Sequence, residues 1–312
     1  MSEASVPVGV VGVGALGRHH ARVWASVEGA RLVGVHDTDT ARAEAVASAH
    51  GCPAHGDLDT LLGEARAVSV AVPTVDHHAI GRRALESGCD VLLEKPMTST
   101  LAEADDLVAL AEEKKAVLQV GHIERFNPAT EVLIEAAKAP RFIEVHRLGS
   151  FSPRSLDVDV VLDLMIHDLD ILLVLDPSEP TQIEAVGVPV LTSRVDIANA
   201  RIRFESGLIA NLTASRVSLE KVRKFRAFAP RTYVSADFTA REAQVFLLEP
   251  GDGDQPRIAS QKRGAPDQEP LRRQIEAFLG AVRGRATPVV SGTDGRRALA
   301  LAHRILARMA EG

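Results

Sequence analysis

Short apolar runs alternate with segments of helical spacing through residues 1–121. The apolar runs predict strands at Val8–Val11, Arg31–His36, Val68–Val72, Val91–Leu93 and Val117–Val120. The segments between them predict amphipathic helices at Leu16–Ser26, Thr40–Ala49, Asp76–Ser87 and Leu101–Glu113. This alternation is typical of an α/β domain with a doubly wound parallel sheet, covered by helices on both faces.

The pattern changes after Gly121, and residues 122–312 are predicted to form a second, α+β domain. Helices are predicted at Pro128–Ala137, Val158–Leu175, Leu271–Val282 and Asp294–Ala310. Strands are predicted at Gln182–Leu191, Ile197–Phe204, Leu208–Ser215, Val222–Ala229, Thr232–Phe238 and Ala243–Leu248. Tight turns such as Glu205-Ser206-Gly207 favour a mainly antiparallel sheet. Glu249–Pro270, rich in Pro, Gly, Asp and Gln, is predicted as a surface loop with room for one short strand.

Composition narrows the class of protein. The chain has 312 residues, of which 46% are hydrophobic and 25% charged, as expected for a globular protein of two domains. A net charge of −6 without a long basic run argues against nucleic acid as a partner. The chain has neither a run of apolar residues long enough to span a membrane nor a basic N-terminal signal. Two cysteines without CxxC spacing, Cys52 and Cys89, favour a reducing cytoplasm.

A glycine-rich loop, Gly12-Val13-Gly14-Ala15-Leu16-Gly17, follows the first predicted strand and precedes a helix. In this GxGxxG pattern the glycines permit a tight turn, close approach of a pyrophosphate and close packing of helix on strand. The alternative is an ordinary structural turn. Asp37 closes the second predicted strand, where a carboxylate binds the adenine-side ribose of a dinucleotide. Its charge favours NAD over NADP, although Arg42 nearby weakens this inference.

Two further motifs contain candidate catalytic residues. Glu94-Lys95-Pro96 follows a predicted strand, so Lys95 should lie at the ligand-binding edge of the sheet, where its charge can stabilise an alkoxide. Asp163 and His167 share a helix face, and Asp170 lies near it; a carboxylate beside an imidazole suits a general base. The alternatives are a surface lysine and a structural His–Asp pair. No further ligand cluster accompanies these residues, so no metal is expected.

Together these motifs resemble the Gfo/Idh/MocA family, which includes glucose–fructose oxidoreductase and inositol dehydrogenase. The resemblance covers essentially the whole chain. Its parts stand in family order: the glycine loop, Val72-Pro73-Thr74 with His77, Glu94-Lys95-Pro96, Asp163 with His167, and a tail with Pro288, Gly292, Asp294 and Gly295. The family implies a Rossmann domain followed by a substrate-binding domain with an open-faced sheet, often used for oligomerisation, so a homodimer or homotetramer is expected.

The resemblance also implies roles for individual residues. Lys95 and His167 would flank the substrate carbon, supported by Asp163, and in some members the lysine is the proton acceptor. The cofactor would be bound by Gly12, Gly14, Ala15, Leu16, Gly17, Asp37, Pro73, Thr74, His77, Glu94 and Lys95. Many members have a glycine where this chain has Met165, so the shape of the substrate pocket is not implied by the resemblance.

The segment Gly121–Pro128 is similar to that of nucleotide-sugar dehydrogenases, especially those acting on the 3-hydroxyl of UDP-N-acetylglucosamine. Candidate substrate-binding residues are His122, Arg125, Asn127, Arg154 and His167, with Arg147 as a further cation near an anionic substrate. A free sugar or inositol is the alternative substrate. Other functions consistent with the sequence are a non-catalytic NAD(P)-binding regulator and a reductase of a tetrapyrrole, which the 4% aromatic content disfavours.

Overall fold

The computed structural model describes residues 5–151, 158–250, 257–265 and 267–311. The chain divides into two compact units. Unit 1 contains Met1–Ile123 and Leu271–Arg296, and unit 2 contains Glu124–Pro270 and Arg297–Gly312. This division differs from the predicted domains, 1–121 and 122–312, because a C-terminal segment belongs to unit 1.

Unit 1 contains a five-stranded parallel sheet, as predicted. Its strands are β1 (Val6–Val11), β2 (Ala30–His36), β3 (Ala67–Val70), β4 (Asp90–Leu93) and β5 (Leu118–Val120), in the order β2-β1-β3-β4-β5. Every residue of β3, β4 and β5 is buried, because helices cover both faces of the sheet. The strand order reverses between β1 and β3, and a ligand crevice is expected at the carboxyl ends of these strands.

Three helices of unit 1 begin at polar capping residues. The helices of this unit include α1 (Gly17–Trp24), α2 (Thr40–His50), α3 (Leu58–Glu64), α4 (Thr74–Glu86) and α5 (Leu101–Lys114). Asp39 and Asp57 cap α2 and α3 through their carboxylates, and Thr100 forms a capping box with Glu103 in α5. Helix α3 was missed in the sequence because its seven residues give too short a periodic signal.

Two helices end the described chain, α8 (Pro270–Gly284) and α9 (Gly292–Ala310). Phe278 of α8 lies in the core of unit 1, where its ring meets Trp24 edge-on with centroids 6.2 Å apart. At the start of α9, a Cβ on Gly295 would come within 2.5 Å of the Val120 side chain. These close contacts explain why Leu271–Arg296 belongs to unit 1.

Unit 2 contains an eight-stranded, mainly antiparallel sheet, again as predicted. Its strands are β6 (Phe142–Leu148), β7 (Pro180–Val188), β8 (Ile197–Phe204), β9 (Ile209–Ser215), β10 (Val222–Ala229), β11 (Thr232–Asp237), β12 (Glu242–Glu249) and β13 (Arg257–Gly264). Their order is β13-β12-β11-β10-β6-β9-β8-β7, and β6 pairs with β9 in parallel. The predicted turn joins β8 to β9, with Gly207 at a φ of 86°.

One strand of this sheet was missed, and another is longer than the short strand that the sequence allowed. The central strand β6 was missed because Arg147 occupies an inward position after Ile143 and Val145 and interrupts the apolar alternation. The edge strand β13 occupies much of the predicted loop, and its residues are mostly exposed and polar. An edge strand needs no apolar face, so periodicity does not reveal it.

One face of the unit 2 sheet is covered by helices. These are α6 (Pro128–Ala136), a π-helical turn (Val161–Met165) and α7 (Ile166–Leu175). Buried residues alternate with half-buried or exposed ones along β6 and β8, as expected for a sheet with one covered and one open face. Among the described residues, no helix combines the length and apolarity needed to cross a membrane.

Candidate active site

The glycine loop connects β1 to α1 at the carboxyl end of the parallel sheet. Gly12 has a φ of 79°, and a Cβ on Gly17 would come within 1.7 Å of the Gly12 carbonyl oxygen. Neither position therefore accepts a side chain without strain. The N-cap residue of α1, Leu16, makes no side-chain capping bond, and the positive end of the helix dipole at this terminus attracts an anionic ligand. The loop fits the pyrophosphate of a dinucleotide.

Asp37 lies at the end of β2, beside this loop. Its carboxylate accepts hydrogen bonds from the N–H groups of Val13 at 2.8 Å and Asp39 at 2.9 Å. Arg42 lies 3.6 Å from Asp37 and pairs more closely, at 2.8 Å, with Asp39. The charge of Arg42 is therefore shared between two carboxylates, and the local balance of charge disfavours the 2′-phosphate of NADP.

Lys95 follows β4, and the Lys95–Pro96 peptide bond is cis. The preceding Glu94 is 8% exposed and accepts hydrogen bonds from His20 Nε2 at 3.1 Å and from the Lys95 N–H at 3.3 Å. Burial acts to raise the pKa of Glu94, but the bond from His20 and the charges of His20 and Lys95 bring it below its ordinary value. An ionised Glu94 thus lies beside Lys95, while a Cβ on Gly121 would come within 2.7 Å of its carboxylate.

His77 joins two loops at the carboxyl ends of β3 and β4. The segment Val72-Pro73-Thr74 leads into α4, and His77 in the first turns of α4 is 1% exposed. Its Nδ1 lies 2.8 Å from the Pro96 carbonyl oxygen, and its Nε2 lies 3.0 Å from that of Val72. Burial lowers the pKa of His77, against the opposing effect of these carbonyls. His77 therefore fixes the loop that contains Lys95.

In unit 2, the predicted Asp–His pair lies where the chain changes from π- to α-helical geometry. Asp163 lies in the π-helical turn and is half-buried, whereas His167 lies in the first turn of α7 and is 8% exposed. The sequence predicted one continuous helix here. An imidazole in such a position can accept a proton, and a carboxylate within one turn can stabilise the resulting cation.

A group of buried charges, here called the Arg147 cluster, consists of Arg147, Glu124 and Asp168 and was missed in the sequence. Arg147 Nε and Nη2 each lie 2.7 Å from the carboxylate of Asp168, and its Nη1 lies 2.8 Å from Glu124. Asn127 donates to Glu124 at 3.0 Å, and Arg223 lies 3.5 Å from Glu124. Because Asp168 directly follows His167, the Arg147 cluster fixes the helix turn that contains the imidazole. The one available signal was the arginine at an inward position of β6.

The other predicted substrate-binding residues are largely engaged within their own units. Arg125 is paired with Asp170 at 3.3 Å, and its side chain is 9% exposed. Asn127 caps α6, and its amide group also donates to Glu124 and to the Phe238 carbonyl oxygen. His122 is fully buried in unit 1. Arg154 lies outside the described residues.

The comparisons with known proteins agree with this architecture. The family model for the oxidoreductase family with NAD-binding Rossmann fold, GFO_IDH_MocA, matches residues 6–122. The model for the GFO/IDH/MocA C-terminal domain matches residues 141–233. The first match covers the glycine loop, Asp37 and Lys95, and the second covers Arg147, Asp163 and His167.

Similar proteins extend the match along the chain. UDP-N-acetylglucosamine 3-dehydrogenase from Acidithiobacillus ferrooxidans is 41% identical over 301 residues, covering 95% of each chain. A solved structure of that enzyme has a TM-score of 0.91 and covers 97% of each chain at 38% identity. An inositol 2-dehydrogenase from Rhizobium meliloti is 26% identical over 98% of each chain. The chain therefore belongs to the Gfo/Idh/MocA family of NAD-binding oxidoreductases.

Proposed function

We propose that this enzyme oxidises the 3-hydroxyl of UDP-N-acetylglucosamine with NAD as the hydride acceptor. The observation that carries the proposal is the 41% identity, over 95% of each chain, to an enzyme of that activity. The second candidate is an inositol dehydrogenase, favoured by the 26% identity to the Rhizobium meliloti enzyme over an equally complete alignment. We prefer the nucleotide sugar because that relative is much more similar.

The proposed mechanism assigns one task to each catalytic residue. NAD, when bound along the glycine loop and Asp37, supplies the acceptor for the hydride of the substrate carbon. Lys95 donates a hydrogen bond to the reacting oxygen and stabilises its developing negative charge. His167 accepts the hydroxyl proton, and Asp163 stabilises the imidazolium that results.

We assign most of the other predicted site residues to supporting roles. Pro73 and Thr74 would lie beside the cofactor, and His77 holds the Val72 and Pro96 segments in place through its two ring nitrogens. Glu94 holds a negative charge next to Lys95. His122 and Asn127, both buried, support the local structure of units 1 and 2, respectively.

The two remaining arginines, Arg154 and Arg125, have different proposed roles. Arg154 stays a proposed contact to the substrate. The ion pair with Asp170 favours a positioning role for Arg125 over direct recognition of phosphate.

The formation of NADH on addition of substrate tests the proposal. Purified protein receives NAD+ or NADP+ together with UDP-N-acetylglucosamine, myo-inositol or glucose. We expect turnover with the nucleotide sugar and NAD+. Turnover with myo-inositol alone would instead establish the second candidate, and NAD+ binding without turnover on any substrate would favour a regulatory protein.

Two variants test the catalytic roles. Lys95→Ala and His167→Ala should lower turnover by orders of magnitude and leave the Kd of NAD+ nearly unchanged, since neither residue is needed to bind the pyrophosphate. The pH dependence of the residual rate in each variant distinguishes which residue accepts the proton. Near-normal turnover in either variant would refute the role of that residue.

We further propose that two copies associate through the open face of the unit 2 sheet. A row of half-buried aromatic residues crosses four adjacent strands on that face: Phe142, Phe228, Tyr233 and Phe246. Neighbouring rings are 4.7 to 5.7 Å apart, and two of the three pairs are stacked. Such a row offers apolar area that a second copy can bury.

Light scattering coupled to size-exclusion chromatography tests this association. A Phe228→Glu variant should elute as a smaller particle than the wild-type protein, because a charge would be buried in the contact. An unchanged particle mass would refute the association.

The two free cysteines support a reducing, cytoplasmic location.

A further inference from the structure

Arg223 lies beside the Arg147 cluster on the covered face of the unit 2 sheet. It is the register partner of Arg147 on the neighbouring strand, β10 against β6. The two side chains differ in exposure: that of Arg147 is 3% exposed, whereas that of Arg223 is 39% exposed. One arginine of the pair is thus internal, and the other reaches the surface of unit 2.

The charges of the cluster are shared unequally between the two arginines. Arg147 takes both oxygens of Asp168 and one oxygen of Glu124, while Asn127 occupies the other oxygen of Glu124. Within the described ranges, the single ion pair of Arg223 is the 3.5 Å contact to Glu124. A guanidinium has five N–H donors, and this contact uses few of them.

Asp163 of the predicted catalytic pair is among the charged residues that act electrostatically on Arg223. Burial lowers the pKa of Arg223, and the positive charge of Arg147 adds to this effect. The carboxylates of Glu124, Asp168 and Asp163 oppose it. Because an arginine side chain stays protonated in proteins, Arg223 brings a partly compensated positive charge to the edge of the Arg147 cluster, within electrostatic reach of Asp163.

These observations change which cation should recognise an anionic substrate. Of the three arginines that the sequence favoured, Arg154 lies outside the described residues, and Arg125 and Arg147 are paired with buried carboxylates of unit 2. Their charges are compensated before any ligand arrives. Arg223 was not singled out by the sequence, yet it combines partial exposure, incomplete compensation and contact with the cluster whose Asp168 directly follows His167.

We propose that Arg223 binds the diphosphate of the nucleotide-sugar substrate, an inference that rests on the function proposed above. The planar guanidinium can hold two phosphate oxygens at once, which a lysine cannot do. A diphosphate also supplies negative charge that compensates the positive charge of Arg223. Arg223 therefore determines specificity for a nucleotide sugar over an uncharged sugar.

Inhibition by UDP, which has the diphosphate without the sugar, measures this contact directly. Arg223→Gln should raise the inhibition constant of UDP by roughly 10- to 100-fold, the range expected for hydrogen bonds to a charged group. Uridine, which has no phosphate, should bind Arg223→Gln and wild-type protein equally. Arg223→Lys keeps the positive charge but removes the planar guanidinium, and should give an intermediate inhibition constant.

A matched control and a structural check accompany these variants. Arg263 lies on β13, is 33% exposed and pairs with Glu135 of α6, so Arg263→Gln removes a comparable arginine far from Asp163 along the sheet. It should leave UDP inhibition unchanged. The Kd of NAD+ and the melting temperature show whether Arg223→Gln is folded, and Arg223→Lys provides the test if it is not.

The outcomes separate the two proposals. If wild-type protein neither oxidises UDP-N-acetylglucosamine nor binds UDP, the proposed substrate is wrong, and this inference is wrong with it. If wild-type protein does both and Arg223→Gln binds UDP within about twofold of wild type, the role of Arg223 alone is refuted. Equal losses of uridine and UDP binding would also refute it, because they would indicate a structural effect.

Discussion

Replacing Arg147 by methionine tests whether the Arg147 cluster holds unit 2 together. The substitution keeps most of the side-chain volume but removes three charge-assisted hydrogen bonds of 2.7 to 2.8 Å. It leaves Asp168 and Glu124 buried, with exposures of 1% and 4%. Removal of one partner from a buried ion pair costs about 3–5 kcal/mol, because the remaining charge stays desolvated.

The penalty should fall mainly on Asp168. Arg223 lies 3.5 Å from Glu124 and can move towards it, which offsets part of the loss there. Asp168 has no comparable second cation at that distance among the ion pairs of the described residues. We therefore expect Arg147→Met to lower the free energy of unfolding by about 3 kcal/mol or more, and Arg147→Met/Asp168→Leu to cost less than Arg147→Met alone.

Urea unfolding measures these changes with one reporter in each unit. The single tyrosine, Tyr233, lies in unit 2, and the single tryptophan, Trp24, lies in unit 1. The near-ultraviolet circular dichroism of Tyr233 should shift to lower urea in Arg147→Met. Arg226→Met is the matched control, because Arg226 forms a surface ion pair with Glu144 at 2.8 Å, and such pairs contribute less than about 1 kcal/mol. A loss in Arg147→Met no larger than in this control would refute the reasoning.

Three further variants test the geometry of unit 1. Gly17→Ala should weaken NAD+ binding by more than about tenfold, because its Cβ would lie 1.7 Å from a backbone oxygen. Gly63→Ala is the control and should leave NAD+ binding unchanged, because no atom lies within 4 Å of its added Cβ. Equal Kd values for the two variants would contradict this prediction. Gly121→Ala should displace the Glu94 carboxylate and lower kcat by about tenfold, with little change in the Kd of NAD+. An unchanged kcat would show that Glu94 does not position Lys95. Asp37→Ala should raise the ratio of kcat/KM with NADP+ to that with NAD+ by about 10- to 100-fold, and a constant ratio would remove Asp37 from cofactor selection.

The sequence by itself determined those features whose chemistry is local in the chain. The glycine loop, Asp37 and Glu94-Lys95-Pro96 each stand at the end of a buried strand, and a buried strand is visible as an apolar run. Parallel strands bring their carboxyl ends to one edge, so these motifs could be placed together without a structure. The same reasoning predicted the antiparallel sheet of unit 2, because most of its strands alternate apolar and polar residues.

The tertiary structure alone decided which charged residues are internal. Arg147 interrupts the alternation of apolar and polar residues, so neither the strand β6 nor the role of Arg147 was predicted from the sequence. A buried arginine is tolerated only where carboxylates meet it, and here they come from Glu124 and Asp168, which are distant in sequence. The same contacts bury Asn127 and leave Arg223 partly exposed. Pairing between distant residues is a property of the folded chain, and no local pattern specifies it.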